Sequence, residues 1–215
     1  MTLHIRIASD FICPWCFIGE RRLMVALRDL PESIDVAIEW LPFELNPDMQ
    51  PEGMDRKIYR SLKFGSWERS QLLDQQTEAA AAGDDVAFDY PAIVKTPNTF
   101  LAHRVMQFAQ RHGGATALAN TLFSAYFEQG RDIGDRDTLV SLAAGAGLVR
   151  AEVEAFLDSA EGVDELRATE LRLRAEGVRG VPHFEFEGEV VGGAQPVDVL
   201  SRALQNAVSR IRQEA

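Results

Sequence analysis

Alternating apolar and polar positions mark two stretches near the amino terminus, with a helical pattern between them. In residues 3–8 the apolar side chains fall on every second position, which predicts a strand, and residues 34–41 repeat that pattern. Residues 13–30 place apolar side chains on one face of a helix, which Pro31 ends. A strand, a helix and a strand in this order predict a parallel pair joined by a crossover helix.

The middle of the chain has a different pattern, because apolar residues recur at helical spacing from Pro47 onward. Thr96 and Pro97 predict a helix start, with Thr96 as the N-cap and the proline in the first turn. Asp135 or Asp137 is expected to cap a later helix. The predicted helices cover residues 58–62, 68–82, 97–113, 115–127, 135 or 137 to 146, 151–157 and 164–176.

Strand patterns return near the carboxyl terminus. Residues 183–187 alternate, Gly188 predicts a tight turn, and residues 189–191 predict the returning strand of a hairpin. Pro196 then begins an amphipathic helix. The order βαβ, helical block, ββα predicts an α/β protein of thioredoxin fold with a large all-helical insertion.

This order of elements also predicts how the chain divides. We expect residues 1–47 and 165–215 to form a discontinuous thioredoxin-like domain, and residues 48–164 to form an inserted helical domain. A length of 215 residues suits one domain with a large insertion, and a hydrophobic fraction of 46% is enough for a core.

Acidic residues outnumber basic ones, and the formal net charge is -11 at pH 7. Such a surface repels nucleic-acid phosphates and anionic lipids, so we expect neither nucleic-acid nor membrane partners. The amino-terminal residues show no signal-peptide pattern, and no segment approaches the ~18 apolar residues of a membrane span. We therefore expect a cytoplasmic protein.

The chain has two cysteines, Cys13 and Cys16, where the first predicted strand passes into the first predicted helix. The thiolate is the reactive form of a cysteine, and a helix amino terminus favours negative charge. Pro14 suits the first helical turn. We expect Cys13 to attack a disulfide and Cys16 to resolve the mixed disulfide that results.

A structural disulfide and half of a zinc site are the alternative interpretations of this pair. A disulfide that closes so small a loop contributes only ~2 kcal/mol to stability, and the cytosol disfavours it. A zinc site needs two more ligands, but no second C-x-x-C exists, and His103 and His112 lack zinc-finger spacing. We therefore expect redox chemistry and no metal site.

Several motifs occur in order along nearly the whole chain: DFICPWCFIG at residues 10–19, PFELNP at 42–47, PNT at 97–99 with AHR at 102–104, GVP at 180–182 and GAQP at 193–196. Together they resemble the FrnE subgroup of DsbA-type thiol:disulfide oxidoreductases. The resemblance implies dithiol–disulfide exchange and a cis bond before Pro182 that faces the cysteines. It also implies that Pro14, Trp15, Val181 and Pro182 contact the substrate chain.

The same superfamily includes kappa-class glutathione transferases and 2-hydroxychromene-2-carboxylate isomerases. Those proteins typically carry serine at the position of Cys13 and lack the second cysteine. A glutathione-dependent transferase or isomerase is therefore the second hypothesis, and a peptide-binding chaperone is the third. We expect protein or peptide thiols and disulfides as partners and no bound cofactor. Glutathione is a further candidate redox partner, held along Val181 and near Gln195.

Four other side chains are candidates for auxiliary roles. Glu39 or Glu44 would serve as a carboxylate buried beneath the active helix that exchanges protons with Cys16. His183 follows Pro182 and would influence the thiolate charge, because histidine titrates near neutrality. Gln195 belongs to the last motif. An apolar rim beside Cys13 is expected from three aromatic residues: Phe11, Trp15 and Phe17.

Overall fold

The computed structural model describes residues 1–213 and begins with the predicted strand, helix and strand. These elements are β1 (Thr2–Ser9), α1 (Pro14–Leu27) and β2 (Asp35–Pro42). β1 and β2 are parallel, with Ile7 opposite Trp40. Pro14 is the first residue of α1, where its missing N–H leaves no helical hydrogen bond unmade. The predicted parallel pair is confirmed.

The middle of the chain is largely helical, as predicted. Asp135, and not Asp137, caps one of these helices by accepting a hydrogen bond from the Thr138 N–H at 2.8 Å. Within residues 1–213 no helix is both long and apolar enough to cross a bilayer. The elements are β3 (Met54–Asp55), α2 (Arg56–Phe64), α3 (Trp67–Ala80), a short 3-10 helix (Tyr90–Ala92), β4 (Lys95–Thr96), α4 (Phe100–His112), α5 (Ala115–Phe127), α6 (Arg136–Gly145), α7 (Arg150–Asp158) and α8 (Val163–Ala175).

Two expectations about this region are wrong. The block is not purely helical, because Thr96 lies in β4 opposite Met54 in a two-stranded antiparallel sheet. Thr96 is therefore not an N-cap, and α4 begins only at Phe100, whose N–H donates to Asn98 Oδ1 at 2.9 Å. Strands of two residues are too short to produce a periodic pattern, which is why the sequence did not indicate them.

The second half of the sheet is the predicted hairpin. It consists of β5 (His183–Phe186) and β6 (Glu189–Gly192), and α9 (Val197–Gln213) follows. β5 pairs antiparallel with β1, so the strand order is β2-β1-β5-β6. The turn residues Glu187 and Gly188 both have positive φ, 46° and 84°, as a two-residue type I′ turn requires.

The larger of two hydrophobic clusters among the described residues runs from the sheet into the helical block. Phe17 on α1 stacks on Phe123 and Phe127 of α5, with ring centroids 5.3 and 5.8 Å apart. The proposed domain limits remain a prediction. The limit between residues 164 and 165 falls inside the first turn of α8, so one helix would belong to both parts.

Two polar side chains of α4 join distant backbone segments. Gln110 pairs with the outer edge of β2: its Oε1 accepts from the Trp40 N–H at 2.6 Å, and its Nε2 donates to the Trp40 carbonyl at 3.0 Å. Arg104 is buried and donates to four backbone carbonyls at and after the end of α7, at 2.9–3.1 Å. The AHR motif thus has a structural role through its arginine.

Candidate active site

Cys13 is the N-cap of α1. Its extended backbone lets its carbonyl accept hydrogen bonds from the N–H groups of Cys16 and Phe17, at 3.0 and 3.3 Å. No side chain caps this end of the helix, and the first turn contains no acidic residue. The Cys13 sulfur therefore lies at the positive end of the helix dipole, without a competing anion in that turn.

Cys16 lies one turn further along α1 and is 2% exposed, compared with 5% for Cys13. Burial raises the pKa of the Cys16 thiol well above its usual value, and the adjacent Cys13 raises it further. The Ser9 hydroxyl and the Asp10 backbone lie next to the Cys16 sulfur, and hydrogen bonds from them lower that pKa. Cys16 thus keeps its proton at neutral pH, and both thiols are free.

The backbone before β5 lies against the cysteine motif. The Cys13 thiol donates to the Val181 carbonyl, with 3.7 Å from sulfur to oxygen, and the Val181–Pro182 peptide bond is cis. Gly19 on α1 permits this close approach. A Cβ there would lie 3.0 Å from the Phe184 ring and 3.1 Å from Pro182 Cγ. The sequence predicted that Val181 and Pro182 lie beside the cysteines, but not that Gly19 makes this packing possible.

A cleft lies between the cysteine motif and the α2–α3 pair. Its empty space, counting its open mouth, is about 940 Å³. Cys13, Pro14 and Trp15 line it, whereas Cys16 does not. Trp15 is exposed at this surface. The walls opposite the motif expose mainly apolar surface but also carry two basic side chains and the acidic Asp74, and they include Leu45, Tyr59, Arg60, Lys63, Phe64 and Leu73. Cys13 is therefore the thiol that faces this cleft.

A buried acid and a buried histidine lie directly behind the motif. The Asp10 backbone carbonyl accepts from the Cys13 N–H at 3.0 Å, and Asp10 Oδ2 accepts from the Leu45 N–H at 2.7 Å. Asp10 Oδ1 lies 3.6 Å from His103 Nε2 on α4. Both side chains are almost fully buried. The sequence had suggested no role for either residue: His103 was considered only as a zinc ligand and as part of the AHR motif, and Asp10 only as part of a motif.

Glu44 extends this cluster away from the cysteines. Burial raises its pKa to about 7, and the nearby Glu170 adds to the rise, whereas His103 and Arg167 oppose it. Glu44 Oε2 accepts a hydrogen bond from Arg167 Nη1, and its backbone N–H donates to Glu170 Oε1 at 2.9 Å. Of the two carboxylates that the sequence offered for a buried position, Glu44 is the buried one.

Three auxiliary candidates lie away from the sulfurs. Glu39 is not buried beneath α1: its side chain is exposed and forms an ion pair with Arg6 at 3.2 Å. His183 lines a groove that contains neither cysteine, on the opposite face of β5 from Phe184. The side chain of Gln195 donates to the Gly192 carbonyl at 2.9 Å, within its own turn. The alternation of a strand explains the positions of Glu39 and His183.

The expected aromatic rim is also wrong in part. Phe11 and Phe17 are fully buried in the core, and only Trp15 is exposed beside Cys13. Phe11 contacts the His103 ring, with centroids 5.2 Å apart, so it helps to position that histidine. In the part of the chain that the structure describes, no group of three or more His, Cys, Asp or Glu side chains is arranged to hold a metal ion.

Comparison with known proteins agrees with this fold. The family model described as a DSBA-like thioredoxin domain matches residues 4–205. The protein YwbO of Bacillus subtilis (strain 168), itself uncharacterized, is 30% identical over 207 residues, which are 96% of this chain and 98% of YwbO.

Two solved structures are similar along their length. The "probable DsbA oxidoreductase" of Streptomyces coelicolor is 32% identical with a TM-score of 0.86, over 96% of this chain and 90% of the other. The cytosolic disulfide reductase DsbM of Pseudomonas aeruginosa is 22% identical with a TM-score of 0.66, over 96% of this chain and 99% of the other. DsbM has also been solved with glutathione. At such low identity the likeness to DsbM shows the fold alone.

Proposed function

The chain belongs to the DSBA-like thioredoxin domain family, and we propose that it exchanges dithiols and disulfides with protein or peptide substrates through Cys13 and Cys16. The observation that carries this proposal is the position of Cys13. It is the N-cap of α1, it lines the cleft, and its sulfur lies 3.7 Å from the Val181 carbonyl. A nucleophile, a binding cleft and free backbone beside the nucleophile are thus together.

The first step is attack by the Cys13 thiolate on a substrate disulfide. The new bond joins Cys13 to one substrate sulfur, while the old disulfide breaks and the other substrate sulfur leaves as a thiolate. The Val181 backbone adjoins the sulfur, so an extended substrate chain would pair with it like an added strand. Trp15 and the apolar cleft wall would hold the flanking side chains of the substrate.

The second step is attack by Cys16 on the Cys13 sulfur. A Cys13–Cys16 disulfide forms, the second substrate sulfur leaves, and two electrons have passed from the protein to the substrate. The reverse sequence oxidises a substrate dithiol. Because Cys16 keeps its proton, it does not compete with Cys13 for the first attack, and it must lose that proton to complete the second.

Glutathione is a candidate redox partner because it is a small peptide thiol that would fit the same cleft, and DsbM, which shares the fold, binds it in a solved structure. A transferase or isomerase role has less support, since a cysteine stands at residue 13 and a second lies one turn away. A cytoplasmic location belongs to the same proposal, because reducing surroundings keep such a dithiol ready to act.

Insulin reduction and the refolding of scrambled ribonuclease test the proposed function. Wild-type protein is expected to catalyse both, and Cys13→Ser is expected to abolish both. Cys16→Ser, the matched substitution one turn away, is expected to accumulate mixed disulfides with its substrates. If Cys13→Ser retained full dithiol activity, or if the variant lacking both cysteines still promoted ribonuclease refolding, the redox assignment would be wrong.

A further inference from the structure

Arg22 on α1 joins two segments that lie far apart in the sequence. Its Nη1 donates to the Ala194 carbonyl at 2.7 Å, and its Nη2 donates to the Ala80 carbonyl at 2.7 Å. Its Nε donates to Asp84 Oδ2 at 2.9 Å, and the Asp84 carboxylate is also its ion-pair partner. All three guanidinium nitrogens are therefore engaged, by one acceptor near the carboxyl terminus and two in the helical block.

This contact differs from an ordinary surface ion pair. The side chains of Arg22 and Asp84 are only 15% and 14% exposed, so salt and water screen their attraction weakly. Hydrogen bonds from a charged donor are also shorter and stronger than those between neutral groups. A lysine ammonium is a compact point charge and cannot span acceptors that are spread around a planar guanidinium. The geometry therefore requires arginine at this position.

The first segment that Arg22 holds is the β6–α9 loop, residues 193–196. Gly193 begins this loop, and its N–H donates to the Pro182 carbonyl at 2.8 Å. Ala194, whose carbonyl accepts from Arg22, is the next residue. Arg22 therefore holds the loop that binds the Pro182 carbonyl, directly beside the Val181 backbone that a substrate chain would contact.

The second segment that Arg22 holds is the carboxyl-terminal end of α3. Ala80 is the last residue of this helix, and Asp84 lies in the turn that follows it. Gln76 and Thr77, about one turn before Ala80, line the substrate cleft. The contacts of Arg22 with the end of α3 therefore also hold this wall of the cleft in place.

We propose that Arg22 is a positioning residue that keeps the β6–α9 loop and the α3 wall at a fixed distance, and that it thereby favours polypeptide substrates over small disulfides. The inference rests on the proposed function. An extended chain joined to Cys13 would contact the Val181 backbone and the α3 wall together, so its binding depends on the distance between them. A small disulfide needs only the Cys13 sulfur. Arg22 does not line the cleft, so it acts through the two segments that it holds.

Two substrates of different size test this role. One is insulin, reduced in the steady state with dithiothreitol as the source of electrons, and the other is a symmetrical aromatic disulfide whose thiol product is coloured, mixed with the reduced protein in a stopped-flow instrument. In Arg22→Met we expect the KM for insulin to rise about tenfold or more, the effect of a misplacement of no more than ~1 Å. We expect kcat to change much less, because Arg22 contacts neither reacting sulfur. The rate with the aromatic disulfide is expected to stay unchanged.

Three further variants make the test decisive. Arg28→Met removes an exposed arginine from the end of the same helix and is the matched control, with no change expected in either reaction. Arg22→Lys keeps the charge without the planar fork, so its KM for insulin should lie between those of wild type and Arg22→Met. Asp84→Asn removes the ion pair and leaves both carbonyl contacts in place, so it should raise the same KM by less than Arg22→Met. It decides the question if Arg22→Met fails to fold.

Amide hydrogen exchange separates a positioning role from a loss of overall stability. The Gly193 N–H, which donates to Pro182, should exchange faster in Arg22→Met, as should the amides in the last turn of α3. The amides of β1 should keep their protection. Faster exchange of all these amides to the same extent would show that Arg22 only stabilises the fold.

An unchanged KM for insulin in both Arg22→Met and Asp84→Asn would overturn the inference, as would an equal loss of rate with the aromatic disulfide. Failure of the proposed function looks different, because the wild-type protein would then not accelerate insulin reduction at all.

Discussion

We predict that Glu20→Gln stabilises the protein at alkaline pH. Glu20 lies on α1, its side chain is 1% exposed, and neither carboxylate oxygen has a hydrogen bond of standard geometry within residues 1–213. Burial raises its pKa to about 7, although Arg21 and Asn120 oppose the rise. The folded protein therefore binds a proton here more tightly than the unfolded chain does, and ionisation of Glu20 opposes folding.

The size of the effect follows from the two pKa values. Between 4.5, the unperturbed value, and about 7 in the folded protein, the difference at ~1.36 kcal/mol per unit is roughly 3 kcal/mol. Below pH 4.5 Glu20 is protonated in both the folded and the unfolded protein and does not reduce the stability. As the pH rises from 4.5 to 7 the unfolded chain loses its proton first, so stability falls, and the full cost applies above pH 7. Glutamine keeps the neutral form at every pH.

Urea unfolding of wild type and Glu20→Gln at about pH 5 and about pH 8.5 measures this difference. We expect a small difference at the lower pH and a variant more stable by as much as roughly 3 kcal/mol at the higher one. Glu78→Gln, an exposed glutamate on α3, is the matched control and should change neither value. If Glu20→Gln lost the same stability at both pH values, Glu20 would not titrate as inferred.

Three further substitutions test the packing by urea unfolding. Phe17→Ala should lower the free energy of unfolding by about 3–5 kcal/mol, because it removes a ring stacked on two others. A loss no larger than that of an ordinary surface substitution would contradict the shared core. Arg104→Met should lower the free energy of unfolding by about 3 kcal/mol, because it leaves the buried Phe156 and Leu157 carbonyls and two partly buried ones without their donor; an unchanged midpoint would mean that water replaces the guanidinium. Gly130→Ala should cost about 2 kcal/mol or more, since its φ is +64° and a Cβ would lie 2.3 Å from the Ala92 carbonyl oxygen. Gly177→Ala, at φ +95° with open space around it, should cost less, and equal costs would rule out the contact as the cause.

Long periodic segments and the redox motif were predictable from the sequence. The helix over residues 115–127 has the bounds that its pattern indicates, and Cys13 is the N-cap of α1, a few residues after β1 ends. Thr96 was misassigned because a threonine followed by proline suits both a helix start and the end of a short strand. Pairing with Met54, which is distant in the sequence, decides between them.

The environment of the cysteines was less predictable, because it depends on which segments pack together. Glu39 and Glu44 look equivalent as candidates along the chain. Only the structure shows that one pairs with Arg6 on the surface and the other with Arg167 on α8. Asp10 and His103 likewise meet only because α4 packs behind the end of β1. One signal in the sequence indicates that these two residues matter: Asp10 belongs to the motif at residues 10–19 and His103 to the motif at residues 102–104.

The pairing of Gln110 with Trp40 also protects the protein against aggregation through the edge of its sheet. β2 is an outer strand, and a strand with free N–H and C=O groups invites another polypeptide to add to the sheet. The Gln110 amide occupies both backbone groups of Trp40 and so imitates a short piece of neighbouring strand. Until α4 docks on the sheet, the edge of β2 around Trp40 can pair with another polypeptide chain. A variant in which α4 docks slowly would therefore aggregate during folding.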